Sequence, residues 1–294
     1  MRKMDWDPTQ FFRTDAPPSP FALLVLNQPI NEKAFKVLRE HASYTICADG
    51  GANRFYDLMR KNGLESTILP DCIIGDLDSI HASVRTHYEG LGVTIIQDPD
   101  QYSTDFTKSL KYLRAHSAQI TSGPSKDKTG GSENGRLEIL ILGGLGGRVD
   151  QAFSQIHHLY LMTKSYSSDD AAGNLYLVSE ESLTFVLQPG RNVIHTPKTN
   201  RPLPGSTQST GSGSCGADGE GEKHLLEENV GIIPISGPAR LTTKGFQWDV
   251  EEWATEIGGQ LSTSNHIRAD VVEVTAEVPI LFTVELATRF KRVR

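Results

Sequence analysis

Residues 137–151 read LEILILGGLGGRVDQ: a strongly apolar run, four glycines within five positions, then the entry to a helix. A strand with one wet face alternates, whereas a run that is apolar at nearly every position suits a strand buried on both faces of a parallel sheet. Working outward, similar runs recur at Phe21–Leu26, Tyr44–Ala48, Cys72–Ile74 and Val93–Gln97. Helical patterning separates them at Glu32–His41, Asn53–Asn62 and Asp105–His116, and follows the glycines at Asp150–Thr163. In that last segment Phe153, Ile156, His157 and Tyr160 predict one core-facing stripe. Strand alternating with helix predicts an open α/β layer fold.

From about residue 174 the helical patterns stop. Short strand candidates follow at Leu175–Val178, Leu183–Leu187, Asn192–His195, Val230–Ile235, Ala239–Thr242, Phe246–Val250, Gly259–Thr263, Val271–Val274 and Ile280–Leu286. Turn signals between them predict an all-β sandwich or barrel. The expected organisation is an N-terminal extension over 1–20, an α/β domain over 21–170 and a β domain over 171–294. The length, 294 residues, accommodates two domains. Hydrophobic residues are only 37% of the chain, and two stretches account for the dilution. Residues 121–135 and 197–229 are rich in Gly, Ser, Thr and Pro or lack large apolar side chains, so both are predicted to be mobile insertions.

Lys and Arg total 29 against 36 Asp and Glu, a formal net charge of −7, which argues against a nucleic-acid coat or an anionic membrane surface as partner. No run approaches the roughly 18 apolar residues of a membrane helix, and the first twenty residues have no apolar core of a secretory signal. Cys47, Cys72 and Cys215 are odd in number and form no CxxC pair, which predicts neither a disulfide framework nor a zinc site and fits a reducing, cytoplasmic setting.

The chemistry gathers where strands end. Asp49 follows Tyr44–Ala48, Asp76 and Asp78 follow Cys72–Ile74, and Asp105 opens a helix after Val93–Gln97. In open α/β sheets the carboxyl ends of the strands form the ligand crevice, and carboxylates there suit a hard cation such as Mg²⁺. One such aspartate could be a solvated turn; three strand ends that each deliver one point to a site. Lys108, one helical turn after Asp105, and Arg148, after the glycines, supply cations against a polyphosphate. The glycine-rich turn at a helix N-terminus offers backbone N–H groups to phosphate. GGLGGRV fails GxGxxG at Val149, and no Gly-Lys dipeptide provides a Walker A loop. In the second half Trp248 lies near Thr242, Thr243, Ser262, Thr263, Ser264 and Asn265, a set suited to stacking on and orienting a planar heterocycle. His157, His158 and His195 lack metal-ligand spacing.

Six segments in order, ADGGANR (48–54), IIGDLDSI (73–80), DQYSTDFTKSL (100–110), GGLGGRVDQ (143–151), LTTKGFQWDV (241–250) and STSNHI (262–267), resemble the thiamine pyrophosphokinases, of fungal type. The resemblance implies a Rossmann-like α/β domain followed by a β-sandwich, jelly-roll-like, and a homodimer with sites at the subunit interface. It implies transfer of the β,γ-diphosphoryl group of ATP to thiamine with Mg²⁺. Asp49, Asp76, Asp78 and Asp105 would be the metal set. Asp49, Gly50, Gln101, Thr104, Lys108, Gly144, Arg148, Asp150 and Gln151 would face the nucleotide, and Trp248, Ser262, Ser264 and Asn265 the thiamine. Asp78, Asp105, Lys108 and Arg148 would act in catalysis, with Asp78 or Asp105 accepting the alcohol proton. The same residues leave open a Mg²⁺-dependent phosphohydrolase or a non-catalytic binding regulator.

Overall fold

The computed structural model describes residues 3–15, 17–122, 136–164, 172–202 and 224–292. The core of each predicted insertion, 123–135 and 203–223, and Cys215 lie outside the described residues. The chain divides into two compact units, Thr14–Glu180 and a second built from Met1–Arg13 with Glu181–Val293. The expected division at 170/171 with a separate extension over 1–20 differs from this at both ends. Strand β1 (Lys3–Trp6) belongs to the second unit.

The first unit contains β2 (Phe21–Val25), α1 (Glu32–His41), β3 (Tyr44–Ala48), α2 (Gly51–Lys61), β4 (Cys72–Gly75), α3 (Ala82–Gly90) and β5 (Thr94–Gln97). It continues with α4 (Asp105–Ala115), α5 (Ser117–Ser122), β6 (Leu137–Leu142), α6 (Val149–Lys164) and β7 (Ala172–Val178). The strands form one parallel sheet in the order β7-β6-β2-β3-β4-β5. Every residue of β2 and β6 is buried, as their continuous apolar runs require. Strand β7 pairs in parallel with β6, Leu142 opposite Val178, so Leu175–Val178 is the last strand of this sheet rather than the first of the β domain. Glu138 alone among the β6 residues is charged; its carboxylate accepts the Asn174 N–H at 2.8 Å, and burial pushes its pKa up to about 7.

The expected stripe on α6 is corrected by the structure. Gln155 and Leu159 are buried, whereas Phe153 is 65% exposed and His157 is exposed. Apolar side chains surround this helix, including Val149, Ile156 and Leu161, so periodicity identifies the helix without fixing its inward face.

The second unit continues with β8 (Ser182–Leu187), β9 (Gly190–His195), β10 (Thr199–Asn200), β11 (Leu226–Pro234), β12 (Ala239–Lys244), β13 (Trp253–Thr255), β14 (Ser262–His266), β15 (Val271–Ala276) and β16 (Ile280–Leu286). One sheet runs β1-β9-β15-β12-β13; in the other β10-β11-β16-β8 are neighbours and β14 pairs with β11. The sheets pack face to face: the Trp6 ring lies 5.1 Å from Phe185, which lies 5.3 Å from Phe282. The flanks of the second predicted insertion are strands, with Thr199 opposite Leu226. The expected strand Phe246–Val250 is a turn.

Strand β1 runs parallel to β9, Trp6 opposite Ile194. Trp6 is 3% exposed and its indole N–H donates to Asn192 Oδ1 at 2.9 Å. Trp6→Ala is expected to cost about 3–5 kcal/mol of stability, read as a lowered chemical-denaturation midpoint. A midpoint equal to wild type would remove β1 from the core of this unit.

Candidate active site

The strand order places the site. Strands β2 to β5 run outward to one side and β6 and β7 lie on the other side of β2, so the direction of winding reverses between β2 and β6. Loops after the strands converge on the crevice at such a reversal. Asp49 ends β3, Asp76 follows β4, and Asp105 is the first residue of α4. Their carboxylate oxygens come within 4.8 Å of one another. Gly75 makes that approach possible: a Cβ there would sit 2.6 Å from Asp49 Cβ and 3.0 Å from Asp105 Oδ1.

Asp49 has a left-handed backbone, φ 38°, and is 1% exposed. Its two oxygens accept the Ser79 and Ile80 N–H groups at 2.9 and 3.0 Å. Burial nevertheless pushes its pKa up against those two bonds, with the Asp105 and Asp76 charges adding to the rise. Lys108 is 2% exposed and its Nζ lies 3.1 Å from Asp105 Oδ1. Burial pulls that ammonium down, and the Asp105 bond with the neighbouring carboxylates outweighs it, so the pKa rises and Lys108 stays charged. Three carboxylates against one ammonium leave a local deficit of two positive charges. The donor set, all oxygen and all acidic, fits a hard divalent cation.

Asp78 is not in this group. Leu77, at φ 66°, turns the chain between the two aspartates, and Asp78 lies exposed with its Oδ1 accepting the Ser79 hydroxyl at 2.8 Å. Gln101 reaches Asp76 Oδ2 through its amide at 3.4 Å. Thr104 caps α4, its hydroxyl accepting the Thr107 N–H at 3.2 Å, which orients the first turn and Asp105 with it. Gly50 is the buried N-cap residue of α2.

The glycine-rich turn sits beside the loop after β2. Gly143 has φ 67°, and a Cβ there would fall 2.6 Å from the Gln28 carbonyl oxygen, whose own N–H donates to Gly143 O at 2.9 Å. Gly144 is buried next to Leu26. Arg148, Asp150 and Gln151 are exposed at the start of α6, and Arg148 Nε donates to Asp150 Oδ1 at 3.0 Å.

The second unit carries a pocket of about 300 Å³ whose walls include Trp248, Trp253, Leu241, Thr243, Ser262 and Asn265. Thr263 and Ser264 line it too. Asn265 is buried; it accepts the Trp248 N–H at 3.2 Å and donates to the Trp248 carbonyl at 3.0 Å. Asp249 explains the turn at 246–250. Its carboxylate accepts the Gly245 and Phe246 N–H groups at 2.9 and 3.1 Å and the Thr243 hydroxyl at 3.2 Å, bonds that a continuous strand would have spent on a neighbour. Trp248 is left 53% exposed. Sequence reasoning gathered Trp248, Ser262, Ser264 and Asn265 and missed Trp253; the signal was the second tryptophan in WDVEEW (248–253). It missed Gly75 as well, whose role appears only when the carboxylates are placed.

Carboxylates delivered by neighbouring strand ends around a buried ammonium, with a glycine-rich turn across the sheet's reversal, define a nucleotide-handling transferase of the α/β class, here with a β-sandwich bearing an aromatic pocket. Residues 35–168 match the family described as thiamin pyrophosphokinase, catalytic domain, and residues 220–281 match thiamin pyrophosphokinase, vitamin B1 binding domain. The chain is 32% identical over 277 residues to thiamine pyrophosphokinase 1 of Arabidopsis thaliana, covering 90% of this chain and 86% of that one. It is 30% identical over 279 residues to the thiamine pyrophosphokinase of Saccharomyces cerevisiae, covering 84% and 79%. The structure of thiamin pyrophosphokinase from Candida albicans matches with a TM-score of 0.75 at 26% identity, over 97% of this chain and 93% of that one. The chain belongs to the thiamin pyrophosphokinase family.

Proposed function

We propose that the protein transfers the β,γ-diphosphoryl group of ATP to the hydroxyethyl oxygen of thiamine, giving thiamine diphosphate and AMP. The observation that carries this reading is the group Asp49, Asp76 and Asp105 with Lys108 set against it. Mg²⁺ is the cofactor it fits; when bound it would neutralise phosphate charge and hold the transferred group in line. Asp76 and Asp105 offer it the more accessible oxygens, since both oxygens of Asp49 already accept backbone N–H bonds. Asp49 then fixes the loop that carries Asp76. Lys108 offsets charge that grows on the leaving phosphate. Arg148, exposed beside the glycine-rich turn, exchanges Asp150 for phosphate oxygens. Gly50, Gln101, Thr104, Gly144, Asp150 and Gln151 complete the nucleotide side.

Asp105 Oδ1 is committed to Lys108 and to the Asp76 N–H, at 3.1 and 3.3 Å. Asp78, exposed on the same loop, is therefore the better candidate to take the thiamine hydroxyl proton. Trp248, with Ser262, Ser264 and Asn265, takes the thiamine ring in the pocket of the β unit. We also propose a homodimer with the sites at the subunit interface. Val149 and Phe153, 71% and 65% exposed beside the glycine-rich turn, support an apolar contact there. A cytoplasmic setting agrees with the free, buried thiols of Cys47 and Cys72, and among the described residues no helix is long and apolar enough to cross a membrane.

Incubation with ATP, Mg²⁺ and thiamine is expected to yield AMP and thiamine diphosphate in equal amounts, and excess EDTA is expected to stop the reaction. ADP with thiamine monophosphate would overturn diphosphoryl transfer. Phosphate released without thiamine would favour a phosphohydrolase.

A further inference from the structure

The pocket of the β unit is walled by two indoles, of which only Trp248 has a role in the proposed function. Trp248 and Trp253 line the same cavity of about 300 Å³ but are mounted differently. Trp248 stands in a turn and is half exposed. Trp253 is the first residue of β13, opposite Leu241 of β12. Directly opposed residues of an antiparallel pair share a face, as do residues two apart on one strand. Trp253, Leu241 and Thr243 therefore present one continuous surface, and all three line the pocket.

Two further features fix the second indole. Its N–H donates to Gln260 Oε1 at 2.9 Å. Gln260 is itself held at its backbone, where its carbonyl accepts the Thr255 hydroxyl at 2.6 Å and the Glu256 N–H at 3.2 Å. On the other side, Glu252 lies in the left-handed region at φ 46° immediately before Trp253. That conformation is unfavourable for a side chain with a Cβ and persists only where its surroundings dictate it. Here the Glu252 N–H donates to the Thr242 hydroxyl at 3.1 Å and the Glu252 carbonyl accepts the Arg240 guanidinium at 3.2 Å. A tryptophan serving only to cover an edge strand needs neither a dedicated amide acceptor nor a strained residue to aim it.

We propose that Trp253, fixed by Gln260, is a specificity-determining wall of the pocket that selects the planar, cationic ring of the acceptor substrate. Gln260 is a positioning residue that acts through the indole. This inference rests on the reading that the pocket receives thiamine. An indole face attracts a cationic heterocycle by stacking and by its quadrupole, and the hydroxyls of Ser262, Thr263 and Ser264 then fix the ring's direction within the plane.

The test uses the full-length chain with Trp253→Ala, Trp253→Phe and Gln260→Ala, measuring kcat, KM for thiamine, KM for ATP and the thermal midpoint. Trp253→Ala is expected to raise the thiamine KM about tenfold, with the ATP KM and kcat within about twofold of wild type. Trp253→Phe, which keeps an aromatic face, is expected to recover most of that loss, and Gln260→Ala to fall between. A thiamine KM within about twofold of wild type in Trp253→Ala overturns the inference. So does a parallel rise of both KM values with a lowered thermal midpoint that Trp253→Phe does not restore, because that is the signature of general unfolding. Wild-type chain that makes no thiamine diphosphate overturns the thiamine reading and this inference with it; wild-type turnover beside an unmoved Trp253→Ala overturns the inference alone.

Discussion

Asp105→Asn is expected to lower kcat by about 100- to 1000-fold, the scale of loss when one preorganised electrostatic group is removed from an active site. The carboxylate joins three functions. It belongs to the acidic group with Asp49 and Asp76, it accepts the buried Lys108 ammonium, and it accepts the Asp76 N–H. An amide keeps the shape and one acceptor but supplies no negative charge. Lys108, 2% exposed, would then lie against a neutral partner, an uncompensated charge that costs about 3 kcal/mol of stability. The double variant Asp105→Asn with Lys108→Met separates the two consequences. It is expected to regain most of the lost stability in chemical denaturation and none of the lost turnover. Turnover in Asp105→Asn within about tenfold of wild type would remove this carboxylate from the chemistry.

The second large effect is expected at a residue with no functional group. A methyl group on Gly75 would stand 2.6 Å from Asp49 Cβ and 3.0 Å from Asp105 Oδ1. Neither neighbour can retreat cheaply, since Asp49 is tied to Ser79 and Ile80 and Asp105 to Lys108. Gly75→Ala should therefore spread the carboxylates, and displacement of catalytic groups by about 1 Å can cost roughly 100-fold in rate. The rate measured against Mg²⁺ concentration should show a raised half-saturation as well as a lower ceiling, whereas Asp105→Asn/Lys108→Met should refold normally and fail at every concentration. An unchanged Mg²⁺ half-saturation in Gly75→Ala would place the cation elsewhere.

These two positions mark what a sequence can and cannot disclose. Asp105 was legible because it follows a strand and opens a helix, and strand-end aspartates recur at Asp49 and Asp76. Gly75 was not, because its importance is a distance to residues 26 and 30 positions away. The same distinction runs through the fold. Strands β3 and β6 coincide with their apolar runs at both ends, for burial on both faces writes itself into every residue. The short helix α3 was missed because only Val84 and Tyr88 of it are buried, too few to make a stripe. The turn at 246–250 reads as a strand because Phe246, Trp248 and Val250 alternate, and only the Asp249 carboxylate reveals that the backbone bonds are spent locally. Asp78 reads as a twin of Asp76, and the left-handed Leu77 between them separates their directions.

Strand β1 has a consequence for the order in which this chain becomes native. Its partner strand β9 lies beyond the whole α/β unit, and the Trp6–Asn192 bond closes a separation of 186 residues. A ribosome delivers β1 long before β9, yet β1 can dock only after β9 has emerged and the strands around it have begun to assemble. Contacts so distant in the chain are slow to form, because a long loop must close before they return any stabilisation. The intervening α/β unit is built mostly from strand–helix–strand connections, and its widest closure, Phe21 of β2 opposite Glu138 of β6, lies wholly within the segment that has already emerged. Nascent chains are thus expected to carry a folded nucleotide-handling half while Trp6 and Phe185 wait for each other, leaving apolar surface open to chaperones during that interval.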